Sequence, residues 1–256
     1  MAKGVERLLR LLEHMAWSER PISVSQAGEE LEIPGSAVHR LLGVLEKAGY
    51  ACKDDQARYY LSLKIAALAA QVLEKLDVRE LARPFLERLS IEAREAVHLG
   101  VLEDGEVVYI EKIDGPRKLR MASRLGERVP AHATAMGKVL LAALPEQEIL
   151  RIIGRRDLAQ RTAGTITDPV DLLNHLRTVK SQGHAIDNEE NERGILCIGA
   201  PILDYTGRAC AALSVSGSTA TLEEESVPRI TELVMETARE ISYALGHQQE
   251  DLDLRT

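Results

Sequence analysis

Aromatic residues are nearly absent from this chain. Of its 256 residues 3% are aromatic, with a single Phe and a single Trp, so the interior has to be built from Leu, Ile, Val and Ala. Cysteine is scarce and odd in number. Cys52, Cys197 and Cys210 form no CxxC pair, which argues against a disulfide scaffold and for reduced thiols in a cytosol. No apolar run is long enough to span a bilayer, and no basic segment followed by an apolar one opens the sequence; a cytoplasmic protein with no membrane partner is expected. An excess of positive charge is missing too: 32 Lys and Arg face 40 Asp and Glu, a formal charge of −8, which does not advertise a nucleic-acid partner. What is present, 45% hydrophobic and 28% charged residues, is the make-up of an ordinary globular protein. The length suits one large domain or two.

The first sixty residues carry a recognisable order of elements. Val5, Leu8, Leu9, Leu12 and Met15 recur at spacings of three and four, predicting an amphipathic helix over residues 4–16. After Pro21, Ser23 precedes Gln26 by three residues, a capping-box pattern that opens a second helix with Val24, Ala27 and Leu31 inward. Glu32-Ile33-Pro34-Gly35 is a turn, Ser36 caps or starts a third helix with Val38, Leu41, Leu42 and Leu45 inward, and Gly49 closes it. Two short strands around the polar turn Asp54-Asp55-Gln56 complete a winged helix-turn-helix order. The groove-facing side of the third helix is then Ser36, Ala37, His39, Arg40 and Gly43, with Lys53 and Arg58 flanking the wing. Arg40 can donate two bonds to a guanine edge, and Ser36 at a helix N-terminus suits a phosphate oxygen. Residues 1–64 hold nine basic and nine acidic residues, so charge alone leaves protein docking open beside DNA binding.

Residues 62–90 predict two helices joined near Asp77, with Pro84 imposing a kink or a late start on the second. The first is apolar on several sides, which suits a linker packed on a partner chain. From Glu95 the period changes to two: Val97, Leu99 and Val101, a turn at Glu103–Glu106, then Val107 to Ile113 form a hairpin. Leu119-Arg120-Met121 reads as a further short strand, residues 125–130 as a loop, Thr134–Leu144 as a compact helix and Pro145–Ile153 as another. Asp168 caps a helix over Pro169–Gln182, ended by Gly183. The stretch from Gly183 to Gly217 is central: a polar run from Asp187 to Gly194, then two apolar runs, Ile195–Leu203 and Cys210–Val215, around an Asp/Gly turn. They predict a mid-sheet hairpin with carboxylates at its rim, a place to hold a small polar molecule or simply a solvated loop before two core strands. A long helix over residues 222–246 closes an α+β sensor-like domain with helices against an antiparallel sheet.

Three stretches resemble the IclR family of bacterial transcriptional regulators. They are Ile33-Pro34-Gly35-Ser36 leading into His39-Arg40-Leu41-Leu42, the block Pro130-Ala131-His132-Ala133-Thr134-Ala135-Met136-Gly137-Lys138, and the run Asp187–Cys197. The resemblance implies a winged helix-turn-helix over residues 1–62, linker and dimerisation helices over 63–90, a GAF-like effector domain over 91–250 and a tail over 251–256. It implies double-stranded operator DNA as partner, a homodimer or dimer of dimers, most often a repressor, and no cofactor, metal or enzymatic activity. The effector positions it implies are Met121, Val129, Ala135, Met136, Asp187, Ile195, Cys197, Ser214 and Ser216. A 2-oxo acid suits them: its carboxylate on the Ala135–Met136 amides and the two serine hydroxyls, a hydroxyl facing Asp187. Ala96–Gly100, Val108–Asp114 and Leu119–Met121 resemble, more narrowly, the branch that senses 2-keto-3-deoxygluconate. A thiol nucleophile at Cys197 served by His98 or His132, a metal on His98, Asp187 and Cys197, and a pure docking module are the competing readings.

Overall fold

The computed structural model describes residues 2–116, 123–155 and 157–248. The expected strand Leu119–Met121, and with it Arg120 and the effector position Met121, lies outside the described residues, as does the tail. The chain divides into two compact units between Leu76 and Asp77.

In the first unit, helices α1 (Ala2–Trp17), α2 (Val24–Glu30) and α3 (Gly35–Lys47) precede the hairpin β1 (Ala51–Lys53) and β2 (Tyr59–Leu61), and α4 (Lys64–Leu73) follows. The Ser23 hydroxyl accepts from the Gln26 amide as the capping pattern requires. The core gathers Leu11, Met15, Ile22, Ala27, Val38, Leu42, Leu45, Ala51 and Tyr59. Two expectations are corrected. Helix α1 buries Leu11 and Met15, while Val5 and Leu9 are 59% and 55% exposed. A helix this apolar carries two candidate stripes, and packing on the hairpin and α3 chooses between them. Of the two readings of Ser36, the cap is excluded, because the N-cap is Pro34, without a side-chain bond, and the start holds, since Ser36 is the second residue of α3.

The second unit opens with α5 (Val78–Ala93), whose N-cap Asp77 accepts from the amides of Arg79 and Glu80. Pro84 neither ends nor delays it, since the helix runs through that position. Strands β3 (Ala96–Glu103), β4 (Glu106–Ile113), β5 (Arg128–Pro130), β6 (Ala185–Asn188), β7 (Ile195–Leu203) and β8 (Ala209–Ser218) form an antiparallel sheet in the order β5-β4-β3-β8-β7-β6. β7 and β8 therefore sit inside the sheet, as their largely apolar runs predict. The edge strands β5 and β6 were expected as loop and polar run; at three and four residues they carry no readable alternation. Helices α6 (Ala135–Ala142), α7 (Glu146–Arg155) and α8 (Pro169–Gln182) build a core on one face with Leu140, Leu141, Ile149, Leu172 and Leu176. α5 and α9 (Val227–Ala244) pack together against the other. α9 starts later than residue 222, after a short 3-10 turn at Glu224–Ser226.

Glycine sets how closely α6 lies on the sheet. A Cβ at Gly199 would stand 3.1 Å from the Ala135 carbonyl carbon and the Met136 nitrogen, and one at Gly137 would stand 2.2 Å from Ala131 backbone. Side chains there would lift the helix start off β7 and off the turn before it.

Candidate functional site

Two surfaces gather the residues singled out in the sequence. On α3, Ser36, His39, Arg40 and Gly43 are exposed along one side, while Ala37 is half-buried against the core. The opposite side of the same helix is fixed by Val38, Leu42 and Leu45, so the 3.6-residue period alone presents the first set to solvent. In the wing, Asp54 Oδ1 accepts from the amides of Gln56 and Arg58, and Arg58 Nε donates to Asp54 Oδ2 at 3.2 Å. Arg58 is thus partly committed to holding the wing turn. Lys53 is exposed, with its ammonium 5.4 Å from the Tyr59 ring centre.

The second surface is a cavity of ≈ 100 Å³ between the start of α6 and the sheet. All eight described effector positions, Val129, Ala135, Met136, Asp187, Ile195, Cys197, Ser214 and Ser216, line it. The register explains why residues distant in sequence meet. Asp187 pairs with Cys197 and Cys197 with Ser216, while Gly199 pairs with Ser214 and Ser214 with His98. Directly paired residues of antiparallel strands share a face, so two rows of side chains run under the helix start. Above them Thr134 caps α6, its hydroxyl accepting from the Gly137 amide and donating to the Pro130 carbonyl. The amides of Ala135 and Met136 belong to the helix's first turn, where the α-helical pattern supplies no acceptor. They add the positive end of the helix dipole to the cavity.

The polar run enters the site in a defined way. Asp187 is 2% exposed, and its Oδ1 accepts from the amides of Glu190 (2.8 Å) and Asn191 (3.2 Å). Burial pushes its carboxyl up to about 6, against the pull of those two amides. Glu190 turns away from the cavity to pair with Lys138, a completely buried lysine whose ammonium also donates to the Ile186 carbonyl at 2.6 Å. Thr162 and Thr165 hydroxyls donate to the Glu190 carbonyl, fixing the far side of the same loop. A lysine in a helix reads as solvated in sequence; here it pins the Asp187 loop to α6.

His98, Tyr109, Ser123, Glu127, Thr134, Asn191 and Glu192 complete the lining. Of these, the sequence singles out His98, as a metal or base candidate, and Asn191 and Glu192, as part of the polar run Asp187–Gly194. Burial, with Lys112 nearby, pushes its imidazole down to about 4, so it is neutral. Its Nε2 lies 2.7 Å from the Ser123 hydroxyl and its Nδ1 3.4 Å from that of Ser216. Among the described residues the Asn191 Oδ1 is buried without a donor. Burial, with the Asp187 carboxylate adding to it, raises the Cys197 thiol pKa well above the ordinary value, the opposite of what a thiolate nucleophile needs. Among the described residues no three His, Cys, Asp or Glu side chains are grouped to hold a metal ion. The cavity brings backbone amides and hydroxyls together with carboxylates, a lining suited to holding a small polar molecule.

Known proteins share this organisation. The IclR helix-turn-helix domain matches residues 4–55, and the bacterial transcriptional regulator IclR C-terminal domain matches residues 70–243. The HTH-type transcriptional regulator KdgR of Dickeya chrysanthemi is 36% identical over 90% of this chain and 75% of its own length. The HTH-type transcriptional repressor AllR of Escherichia coli K12 is 35% identical over 96% of this chain and 91% of its own. The crystal structure of the Agobacterium tumefaciens repressor BlcR superposes with a TM-score of 0.79 at 27% identity, covering 96% and 97% of the two chains. Two domains that match in order, relatives alike over nearly the full length, and a helix-turn-helix ahead of a polar cavity lead to one assignment: the chain belongs to the IclR family of bacterial transcriptional regulators, resembles its KdgR-type branch, and is a DNA-binding regulator rather than an enzyme.

Proposed function

We propose that this regulator is an operator-binding repressor released by a small sugar acid, 2-keto-3-deoxygluconate in the first instance, held in the cavity under α6. The observation that carries the reading is the set of polar groups that line that cavity. The Ala135 and Met136 amides with the Ser214 and Ser216 hydroxyls supply donors for a carboxylate, while Asp187 and the Asn191 Oδ1, which has no donor among the described residues, supply acceptors for hydroxyl groups. The resemblance to KdgR favours this acid, and the nearly equal resemblance to AllR makes the contacts in the cavity, not the fold, the discriminator. In this reading Ser36, Ala37, His39 and Arg40 enter the major groove, Lys53 and Arg58 meet phosphates, and the protein acts as a dimer or dimer of dimers in the cytoplasm. Leu68, Val72 and Leu73 on α4 are 47%, 64% and 40% exposed, apolar surface that suits pairing with a second copy.

Fluorescence anisotropy with the DNA upstream of the gene, with and without the acid, tests the reading alongside calorimetry. Binding of the acid with loss of operator affinity supports it. Tight binding of an aromatic or two-carbon acid, with none for sugar acids, would keep the regulator and reject this effector.

A further inference from the structure

Tyr109 and Glu111, two residues apart on β4, face opposite sides of the sheet. On β3, Gly100 pairs with Tyr109 and Leu99 with Glu111, so Ile110 is an extra residue in the ladder. Without this bulge the two side chains would share a face. With it, Tyr109 lines the cavity, its ring centre 5.0 Å from that of His98. Glu111 points to α5 instead, where its Oε2 accepts from Arg79 Nε and Arg83 Nη1, each at 3.0 Å. Its Oε1 accepts from the Lys112 amide at 3.0 Å, and its side chain is 4% exposed. Both arginines stand in the first two turns of α5, and α5 begins just past the division at Leu76. Glu111 therefore clamps the piece of chain that leads directly to the helix-turn-helix unit.

The cavity side of this element is equally well tied. The Tyr109 amide donates to the Glu127 carbonyl at 3.1 Å, and its carbonyl accepts from the Gly126 amide at 2.8 Å. Glu127 itself lines the cavity. A molecule that moves the 126–127 turn or the Tyr109 ring thus acts on backbone one bulged residue away from the carboxylate that holds α5. Close-packed elements of this kind shift between discrete arrangements rather than deforming smoothly.

We infer that the bulged segment Tyr109–Glu111 is the lever connecting the cavity to the DNA-binding unit, with Glu111 as the positioning residue for α5. The inference rests on the effector reading above for its ligand arm. A charged clamp suits the role because its partners are fixed by geometry: one buried carboxylate oxygen serves two guanidinium groups, so a small displacement of β4 changes both contacts together.

Full-length Glu111→Gln, with Glu111→Asp as the variant that keeps the charge, tests the lever against operator DNA and 2-keto-3-deoxygluconate. Wild-type operator affinity should fall at least ~5-fold at saturating acid, the lower end of ordinary coupling. Glu111→Gln should bind the acid like wild type yet shift operator affinity less than ~2-fold, far below that coupling, with Glu111→Asp between them. Wild-type release by a Glu111→Gln protein that binds the acid normally overturns the lever and leaves the effector reading standing. A ligand-free arm stands on its own. Tyr109→Leu should speed amide hydrogen exchange over residues 79–83, whereas Ser214→Ala should not. If no acid shifts the wild-type protein, the effector reading falls and this arm decides alone: unchanged exchange in Tyr109→Leu overturns the lever, faster exchange supports it.

Discussion

Asp187→Asn should make the second unit more stable while removing its ability to hold an acid. The carboxyl is 2% exposed and pushed from its ordinary 3.8 up to about 6, burial being the main cause, with the Glu190 carboxylate adding to it. A carboxyl whose folded value is raised favours folding below pH 3.8, and that contribution is lost as pH rises through about 6. At ~1.4 kcal/mol per pH unit the penalty above pH 7 is ~3 kcal/mol. Asparagine carries no charge, and its Oδ1 can still accept from the Glu190 and Asn191 amides, so the substitution removes the penalty and keeps the turn. For a unit of this size each kcal/mol moves the melting temperature by about 2–4 °C, giving a gain of about 6–12 °C at pH 7.5. At pH 4, where the wild-type carboxyl is protonated, the gain should shrink to under ~1 kcal/mol. Differential scanning calorimetry of the full chain at both pH values reads this directly. An unchanged or lower melting temperature at pH 7.5, or an equal gain at pH 4, would refute the reasoning. A group kept at such a cost is a mark of a binding site.

Three further outcomes follow from the geometry. Arg40→Ala should weaken specific operator binding by about 1–3 kcal/mol in anisotropy titrations, the scale of a lost bidentate base contact; normal binding by the folded variant would reject α3 as the recognition helix. Lys138→Ala should destabilise the protein by about 3–5 kcal/mol in urea melts, because it strands the buried Glu190 carboxylate, while the double change Lys138→Met with Glu190→Leu should recover most of the loss. If the double variant is no more stable than the single one, packing and not charge holds the loop. Leu68→Asp should leave a folded monomer by light scattering at micromolar concentration, and an intact dimer would place the pairing surface elsewhere.

Much of the fold was set by local chemistry that the sequence carries openly. Ser23, Asp77 and Asp168 cap helices because their side chains answer amides two or three residues on. Gly183 ends α8 in the left-handed region. The largely apolar runs of β7 and β8 suit the middle of a sheet. The polar run at Asp187 was legible locally, but the full set of residues proposed to hold the effector was gathered through family resemblance, since nothing local joins Val129 to Ser216.

Tertiary structure decided the rest. Leu11 is buried and Leu9 exposed because α1 meets its neighbours on one of two similar stripes. Strands β5 and β6 exist because β4 and β7 offer edges to pair with, not because three or four residues prefer extension. Tyr109 reaches the cavity through strand register, Ser123 and Asn191 reach it from loops, and a single inserted residue sends Glu111 away from it to α5. Lys138 is the plainest case. Its charge predicts water, and only a carboxylate and a carbonyl brought from about fifty positions away make its complete burial tolerable. Periodicity and capping act over a few residues and are written in sequence; pairing, register and desolvation depend on partners that only the folded chain supplies.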